Sequence, residues 1–212
     1  MNTHRLLLVL FVGAYMTAAM VLAVLHWNYE FIYYGVVMLG LIAAVVYLDR
    51  RVALPAPVLW GLGVWGFLHM LGGTMPIPWS ITEPPNSEGL VPPPVLYNMR
   101  IHPMLPKYDQ CVHAFGFFIS TLAAWRALSV ASRGQLRAST GPLLGAGLVG
   151  MGLGAMNEVI EFAATRIMPG TNVGGYDNTG WDLVSNMTGC VAAAIVIRAR
   201  AGGAVDASPG PL

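Results

Sequence analysis

The sequence predicts an all-α protein, a polytopic membrane helix bundle with about six transmembrane helices and both termini in the cytoplasm. Only 10% of the 212 residues are charged and 56% are hydrophobic, whereas a soluble domain carries roughly 25% charged residues. The apolar residues also come in blocks of about 18 or more, the length that a helix needs to cross roughly 30 Å of hydrocarbon. With a net charge of +1 and scattered basic residues, the chain gives no indication of nucleic-acid binding.

Six apolar stretches are the predicted spans. They lie at about residues 5–25, 30–48, 56–73, 110–130, 143–165 and 181–198. The first stretch begins with His4 and Arg5 and is similar to a signal peptide, but it runs to about Leu25 without a small-x-small cleavage site, so we interpret it as a retained helix. Residues 1–200 therefore form one predicted transmembrane domain. Residues 201–212, rich in Gly, Ala and Pro, are predicted to be a disordered cytoplasmic tail.

The distribution of positive charges predicts the orientation. In a six-span arrangement one side carries Arg5, Arg50, Arg51, Arg126, Arg133, Arg137, Arg198 and Arg200, and the other carries only Arg100, Lys107 and Arg166. The positive-inside rule then places the termini in the cytoplasm and the loop of about 74–108 outside. Because many prolines remove backbone donors from that loop, we expect it to be an ordered cap and not a further span.

The fifth stretch is rich in glycine. Gly141 with Gly145, and Gly150 with Gly154, have the G-x-x-x-G spacing that allows two helices to approach closely. We therefore expect this helix to lie in the middle of the bundle.

Polar residues occur inside the spans as three pairs with helical spacing. A spacing of three or four residues presents both members of a pair on one face of a helix. In the six-span arrangement all three pairs lie at about the same depth, near the outer side, with His69 close to the end of the third stretch and Asp177 just before the sixth. The pairs are Asp109 with His113, Glu158 with Glu161, and Asp182 with Asn186.

An ionised carboxylate in hydrocarbon costs at least roughly 2 to 3 kcal/mol, so these groups should face the bundle interior and gather around one another. Two chemical interpretations are open. Oxygen and imidazole ligands from several helices suit a divalent metal ion, the one cofactor that the sequence indicates, which would activate a bound water. Alternatively, crowded carboxylates hold protons and act as a general acid and base or as a proton-coupled transport path. The predicted catalytic or metal-binding residues are Asp109, His113, Glu158, Glu161 and Asp182, with His69, Asp177 and Asn186 around them.

Several of these residues also have a purely structural explanation. Asp109 and Asp182 stand near the N-terminal ends of their predicted helices, where a carboxylate caps free N–H groups and contributes roughly 0.5 to 2 kcal/mol. Glu158 and Glu161 lie far from any predicted cap, so a structural role explains this pair least well. Packing, a turn and an interhelical hydrogen bond are the corresponding explanations for His69, Asp177 and Asn186.

Four segments carry a resemblance to a known family. They are His69-Met70-Leu71-Gly72-Gly73, Arg100 followed by Tyr108-Asp109-x-x-x-His113, Glu158-Val159-Ile160-Glu161-Phe162, and Trp181-Asp182-x-x-x-Asn186-Met187. In these segments the sequence resembles the bacterial inner-membrane proteins typified by YjdF and, more remotely, the VanZ-like superfamily. The YjdF-like pattern usually has acids where Thr179 and Asn186 stand, and VanZ-like proteins tend to have Asn at the second position. The resemblance implies a bacterial cytoplasmic membrane and a site facing the periplasm or exterior, but it supplies no substrate.

The leading functional hypothesis is a membrane-embedded site that acts on an envelope lipid or a lipid-linked precursor. Polar pairs from three helices converge near the outer leaflet, where lipid headgroups can enter sideways, so the partners are the bilayer and such a lipid. A small proton- or cation-coupled transporter is the first alternative, although the chain has no internal repeat and no acidic relay in its cytoplasmic half. A non-catalytic membrane scaffold, whose Pro-rich outer loop binds a partner, is the second. Whether the protein is an enzyme stays open at this point.

Overall fold

The structure is a computed structural model that describes residues 3–85, 89–168 and 170–206. Within these ranges every long element is a helix, which confirms the predicted all-α class. The helices are α1 (Thr3–Leu25), α2 (Tyr29–Val52), α3 (Ala56–Thr74), α4 (Tyr108–Ala131), α5 (Thr140–Ile167) and α6 (Tyr176–Asp206).

Five of these helices, α1, α2, α4, α5 and the part of α6 up to Ala201, are long and apolar enough to cross a membrane. The polytopic membrane bundle is therefore confirmed in its architecture. The third predicted span, α3, has 19 residues, about 28 Å at 1.5 Å per residue, which is close to the thickness of the hydrocarbon core. It is not among these five helices, and glycines, tryptophans and His69 alternate with its aliphatic residues. The orientation of the bundle stays a prediction.

An arginine-rich end of the bundle is tied together around the turn between α2 and α3. Asp49 accepts a hydrogen bond from the backbone N–H of Leu54 (3.0 Å) and forms an ion pair with Arg5 of α1 (2.9 Å). Arg126 of α4 donates to the carbonyl of Val52 (2.9 Å). These bonds satisfy the end of α2 and hold three helices together at this end.

The central helix is α4, which packs against α3, α5 and α6. The expectation that α5 lies in the middle is therefore wrong. Helix α5 packs chiefly against α4 and α6, and its Leu148, Val159 and Phe162 are exposed as lipid-facing side chains would be. Of the two predicted glycine pairs, only Gly150 and Gly154 lie at a contact between helices. A Cβ atom at Gly141 or Gly145 would meet nothing within 4 Å.

The segment between α3 and α4 is folded back on itself over the end of the bundle where α4 begins. Its described part contains two short 3₁₀ turns, Trp79–Ile81 and Leu96–Asn98. Isolated bridges join Pro76 to Val95 and Thr82 to Met99. This segment is the predicted outer loop.

At the other end of the chain, α6 runs to Asp206. It thus extends into the segment predicted as a tail, and residues 207–212 lie outside the described residues. The disorder predicted for that tail stays a prediction.

Candidate functional site

The site begins where α4 begins. The backbone N–H of Lys107 donates to Oε1 of Gln110 (3.0 Å), a capping interaction that starts the helix at Tyr108. The first turn therefore carries Asp109, whose Oδ2 lies 3.0 Å from Nζ of Lys107 and whose Oδ1 lies 3.4 Å from Nε2 of His113. The predicted i, i+4 pair is thus brought together on one face of α4.

His113 lies at the centre of the cluster and is only 3% exposed. Its Nδ1 forms a 3.0 Å hydrogen bond with Oδ1 of Asn186 in α6 and lies 3.7 Å from Oε1 of Glu158 in α5. Its Nε2 lies 3.9 Å from Oε1 of Glu161, also in α5. One imidazole ring therefore faces side chains of α4, α5 and α6.

Glycines allow the three helices to approach at this point. A Cβ atom at Gly189 of α6 would lie 2.1 Å from the backbone carbonyl oxygen of Ala114 in α4. A Cβ atom at Gly154 of α5 would lie 2.7 Å from Nδ2 of Asn186. A Cβ atom at either position would clash with the neighbouring helix unless that neighbour moved. The close approach of the helices that these glycines allow brings Asn186 within reach of His113.

Asp182 is completely buried. Its Oδ2 accepts a hydrogen bond from the side-chain amide of Asn178, and Oδ1 of Asn178 in turn accepts from Nζ of Lys107. Because α6 begins at Tyr176, Asp182 lies in the second turn and not at the helix end. The capping explanation for Asp182 is therefore wrong, whereas Asp109 does lie in the first turn of α4.

Several polar atoms of the cluster are buried without a hydrogen-bond partner among the described residues. They are both carboxylate oxygens of Glu158, Oδ1 of Asp182 and Nδ2 of Asn186. A buried carboxylate without hydrogen bonds is costly unless a proton or a cation neutralises it. Among the described residues, the ion pairs made by this cluster of four carboxylates involve two basic side chains, Lys107 and His113. The cluster therefore also has an excess of negative charge that a cation or protons would neutralise.

Two groups of these residues have the spacing of metal ligands. In each group, one ligand atom from every residue lies within 4.8 Å of the others. Oxygen and nitrogen ligands of a tetrahedral zinc ion lie about 3.4 Å apart, so side-chain shifts of up to about 1 to 1.5 Å would bring such a group onto one ion. The donor atoms and the orphaned carboxylate oxygens therefore fit a divalent cation. The groups are Asp109, His113 and Asp182, and His113, Glu158 and Glu161.

The structure adds residues that sequence reasoning missed. Lys107 and Asn178 join Asp109 to Asp182, and Nδ2 of Asn157 donates to Oε1 of Glu161 (2.8 Å). A signal for the two asparagines was present, because Asn157 and Asn178 each precede an acid of the cluster by four residues. No comparable signal marked Tyr34 and Tyr97, whose buried hydroxyls lack a partner among the described residues.

Two of the predicted surrounding residues lie apart from the cluster centre. The ring of His69 packs edge-on against Tyr34 (centroids 6.0 Å apart) and Tyr97 (5.4 Å), which agrees with a packing role. Asp177 is exposed in the first turn of α6. Of the three surrounding residues, Asn186 is the one that contacts His113 directly.

A polar cavity of about 270 Å³ opens at the end of the bundle next to the cluster. Lys107 lines this cavity and also contacts Asp109, so it separates the cavity from the buried carboxylates. Burial alone would lower the pKa of Lys107, but the Asp109 and Asp182 carboxylates outweigh it and raise that pKa above its usual 10.5. Other lining residues are Glu83, Arg100, Asn172, Asp177 and Trp181.

On the side away from this cavity, the interior below the cluster is filled with small side chains. Thr121, Ala146 and Ala193 are fully buried. A Cβ atom at Gly150 would lie 2.2 Å from Oγ1 of Thr121 and 2.7 Å from Sγ of Cys190. Among the described residues, the cluster is thus accessible from one side of the bundle.

Residues 6–202 match a family model whose description is "Predicted membrane protein (DUF2238)". The match includes every residue of the cluster and nearly the whole length of the chain. It is consistent with the resemblance to YjdF-like proteins, whereas the remoter VanZ-like resemblance stays a prediction. None of the curated proteins and none of the solved structures matches the chain.

Proposed function

The chain belongs to the DUF2238 family of predicted membrane proteins. We propose that it acts in the bacterial inner membrane on an envelope lipid or a lipid-linked precursor. The reaction would take place at the cluster around His113, which faces outward in the predicted orientation and would hold a divalent cation. The observation that carries the proposal is that both carboxylate oxygens of Glu158 and Oδ1 of Asp182 are buried without a hydrogen-bond partner among the described residues. In a membrane interior such oxygens need a cation or a proton.

The cation would be held by the five residues that the sequence indicated. When bound, such an ion lowers the pKa of a coordinated water and polarises a phosphoryl or carbonyl oxygen. Asn186 would keep the imidazole oriented through Nδ1, and Asn157 would keep Glu161 oriented. The five candidate ligands, which form two groups that share His113, are Asp109, His113, Glu158, Glu161 and Asp182.

A lipid substrate is supported by the surroundings of the cluster. Val159 and Phe162 extend from the same helix as Glu158 and Glu161 and are exposed, as side chains that face lipid would be. Trp181, next to Asp182, is 60% exposed and lines the polar cavity, as an aromatic residue at headgroup depth would. A lipid could therefore keep its acyl chains in the bilayer while its headgroup reaches Lys107 and the cluster.

The packing below the cluster favours this proposal over a transporter. A proton or cation path needs polar groups or water on both sides of the acids. The described interior toward the arginine-rich end is instead closed by tightly packed residues around Gly150 and Thr121. A one-sided site suits a reaction or a binding event at one membrane face.

The first test is the metal content of detergent-purified protein without a histidine tag. We expect stoichiometric zinc, manganese or iron in the wild type and its loss in a folded Glu158→Gln, Glu161→Gln double variant. The matched control is Asp177→Asn, which removes an exposed acid at the same end of the bundle and should keep the metal. A wild-type protein without metal would contradict the cation.

A second test addresses the substrate. In cells where deletion of the gene alters the membrane lipid profile, His113→Ala and the double variant should fail to restore it. Full restoration by both variants would contradict a role of the cluster in lipid chemistry and would favour the scaffold alternative, in which these acids can be neutralised without effect.

A further inference from the structure

A large apolar cavity lies between α1, α2 and α3, away from the cluster. Its volume is about 700 Å³, within the roughly 300 to 1,000 Å³ typical of ligand sites. Most of its walls are aliphatic, so they offer little to a polar solute. Representative lining residues are Val9, Val12, Leu39, Ile42, Val46 and Leu62.

The cavity has the length of one membrane leaflet. Arg5 and Asp49 lie at one end, and Met16 and Met38 lie at the other. Eleven residues separate the two ends along α1 and along α2, which is about 16 Å at 1.5 Å per residue. Half of a hydrocarbon core of roughly 30 Å is about 15 Å. The cavity therefore runs from headgroup level to about the middle of the bilayer.

The polar end of the cavity is positively charged. Arg5 and Arg50 line it together with a single acid, Asp49. Asp49 is paired with Arg5 (2.9 Å), and Arg50 is exposed with no ion pair to any described residue. The next residue, Arg51, lies over the ring of Tyr47 (5.2 Å) at the same end. A phosphate group placed here would meet guanidinium groups, which bind phosphate with charge-assisted hydrogen bonds.

We propose that this cavity binds one acyl chain of an anionic glycerophospholipid, from the leaflet on the arginine-rich side, with the lipid phosphate at Arg5 and Arg50. An acyl chain gains little by exchanging lipid neighbours for aliphatic side chains. The headgroup charge therefore decides which lipid is retained, and a zwitterionic headgroup is held less tightly because its ammonium group is repelled by the arginines. The inference is independent of the chemistry at His113, since the two sites lie at opposite ends of the bundle.

Glycines supply a matched pair of variants. Gly13 lines the cavity, and a Cβ atom there would meet nothing within 4 Å. Gly13→Leu should thus place a side chain in the cavity without displacing its neighbours. Gly40 of α2 is also exposed and also has open space around a Cβ atom, but it does not line the cavity, so Gly40→Leu is the control. Arg50→Gln removes the unpaired charge without changing the apolar walls.

The experiment is native mass spectrometry of the delipidated full-length protein, titrated separately with phosphatidylglycerol and phosphatidylethanolamine. We expect one retained phosphatidylglycerol, bound about tenfold more tightly than phosphatidylethanolamine. Gly13→Leu and Arg50→Gln should each weaken that binding by about fivefold or more, and Gly40→Leu should match the wild type. If Gly13→Leu does not fold, Arg50→Gln decides the outcome by itself.

Three results would overturn the proposal. The first is equal binding of the two lipids by the wild type. The second is undiminished phosphatidylglycerol binding by folded Gly13→Leu or by Arg50→Gln. The third is a dimer of the delipidated protein that Gly13→Leu dissociates, because the cavity would then be covered by a second copy of the chain.

Discussion

Nδ1 of His113 lies 3.0 Å from Oδ1 of Asn186, and this hydrogen bond joins α4 to α6 in the buried part of the bundle. Because Nδ1 is engaged there, Nε2 is the ring nitrogen that faces Asp109 and Glu161. The orientation of the one imidazole in the cluster therefore depends on a neutral amide of another helix. Any variant that moves α6 relative to α4 should disturb the cluster as well as the fold.

Replacement of Asn186 by leucine should destabilise the protein. The substitution keeps the number and branching of the side-chain heavy atoms but leaves the buried Nδ1 of His113 without its hydrogen bond, which costs about 1 to 3 kcal/mol. The free energy of unfolding, from denaturant titration in detergent micelles, checks this value. Thr188→Ala, at an exposed position two residues further along α6, should change it by less than about 0.5 kcal/mol. Equal effects of the two variants would refute the structural importance of this hydrogen bond.

Gly189→Ala should separate α4 from α6. Its methyl group would lie 2.1 Å from the backbone oxygen of Ala114, and a backbone atom cannot turn aside as a flexible side chain can. We expect a loss of about 1 to 3 kcal/mol in the free energy of unfolding, together with weaker metal binding. Gly152→Ala is the control, because a Cβ atom there meets nothing within 4 Å, and it should be neutral or slightly stabilising. A stable Gly189→Ala variant would show that the helices are not in close contact.

Divalent cations should raise the thermal stability of the metal-free protein. A ligand that binds only the folded state at about one hundred times its Kd stabilises that state by about 2.7 kcal/mol. Chelation followed by readdition of zinc or manganese, with Tm measured in detergent, tests this effect. His113 belongs to both groups of candidate ligands. The His113→Ala variant should therefore show no increase in Tm. An equal increase in this variant would place the bound ion elsewhere.

Lys107→Met should destabilise the protein at neutral pH by up to about 3 to 5 kcal/mol, because Asp109, a largely buried carboxylate, loses its nearest cation and keeps the imidazole of His113 beside it. The pH dependence has a definite sign. The pKa of Lys107 is raised above 10.5 in the folded protein, so its stabilising charge is fully present below pH 10.5 and is lost as the pH rises through the higher folded-state pKa.

The measurement is the free energy of unfolding of both proteins between about pH 8 and pH 12. The difference between the wild type and Lys107→Met should be constant up to pH 10.5 and should shrink above it. A difference that stays constant to the alkaline end would mean that the ammonium group of Lys107 does not carry this stabilisation.

Local features were predictable from the sequence because they depend on neighbours along the chain. The helical spacing placed Asp109 and His113 on one face of α4, and the structure has these two side chains 3.4 Å apart. The same rule, applied to asparagine as well as to acids, would have identified Asn157 and Asn178. The prediction for Asp182 was wrong because it depended on where the helix begins. Asp182 was expected at the N-terminal end of a helix, but α6 begins at Tyr176 and Asp182 lies in its second turn.

By itself, then, the sequence determined that this chain is a bundle of apolar helices and that three of those helices carry paired polar groups, because hydropathy and helical period act within one element. Only the tertiary structure decided which groups meet. Whether Glu158 of α5 and Asn186 of α6 reach the same imidazole depends on how closely the backbones approach at Gly154 and Gly189. That approach is set by contacts between residues distant in the chain, for which the period of a single helix carries no information.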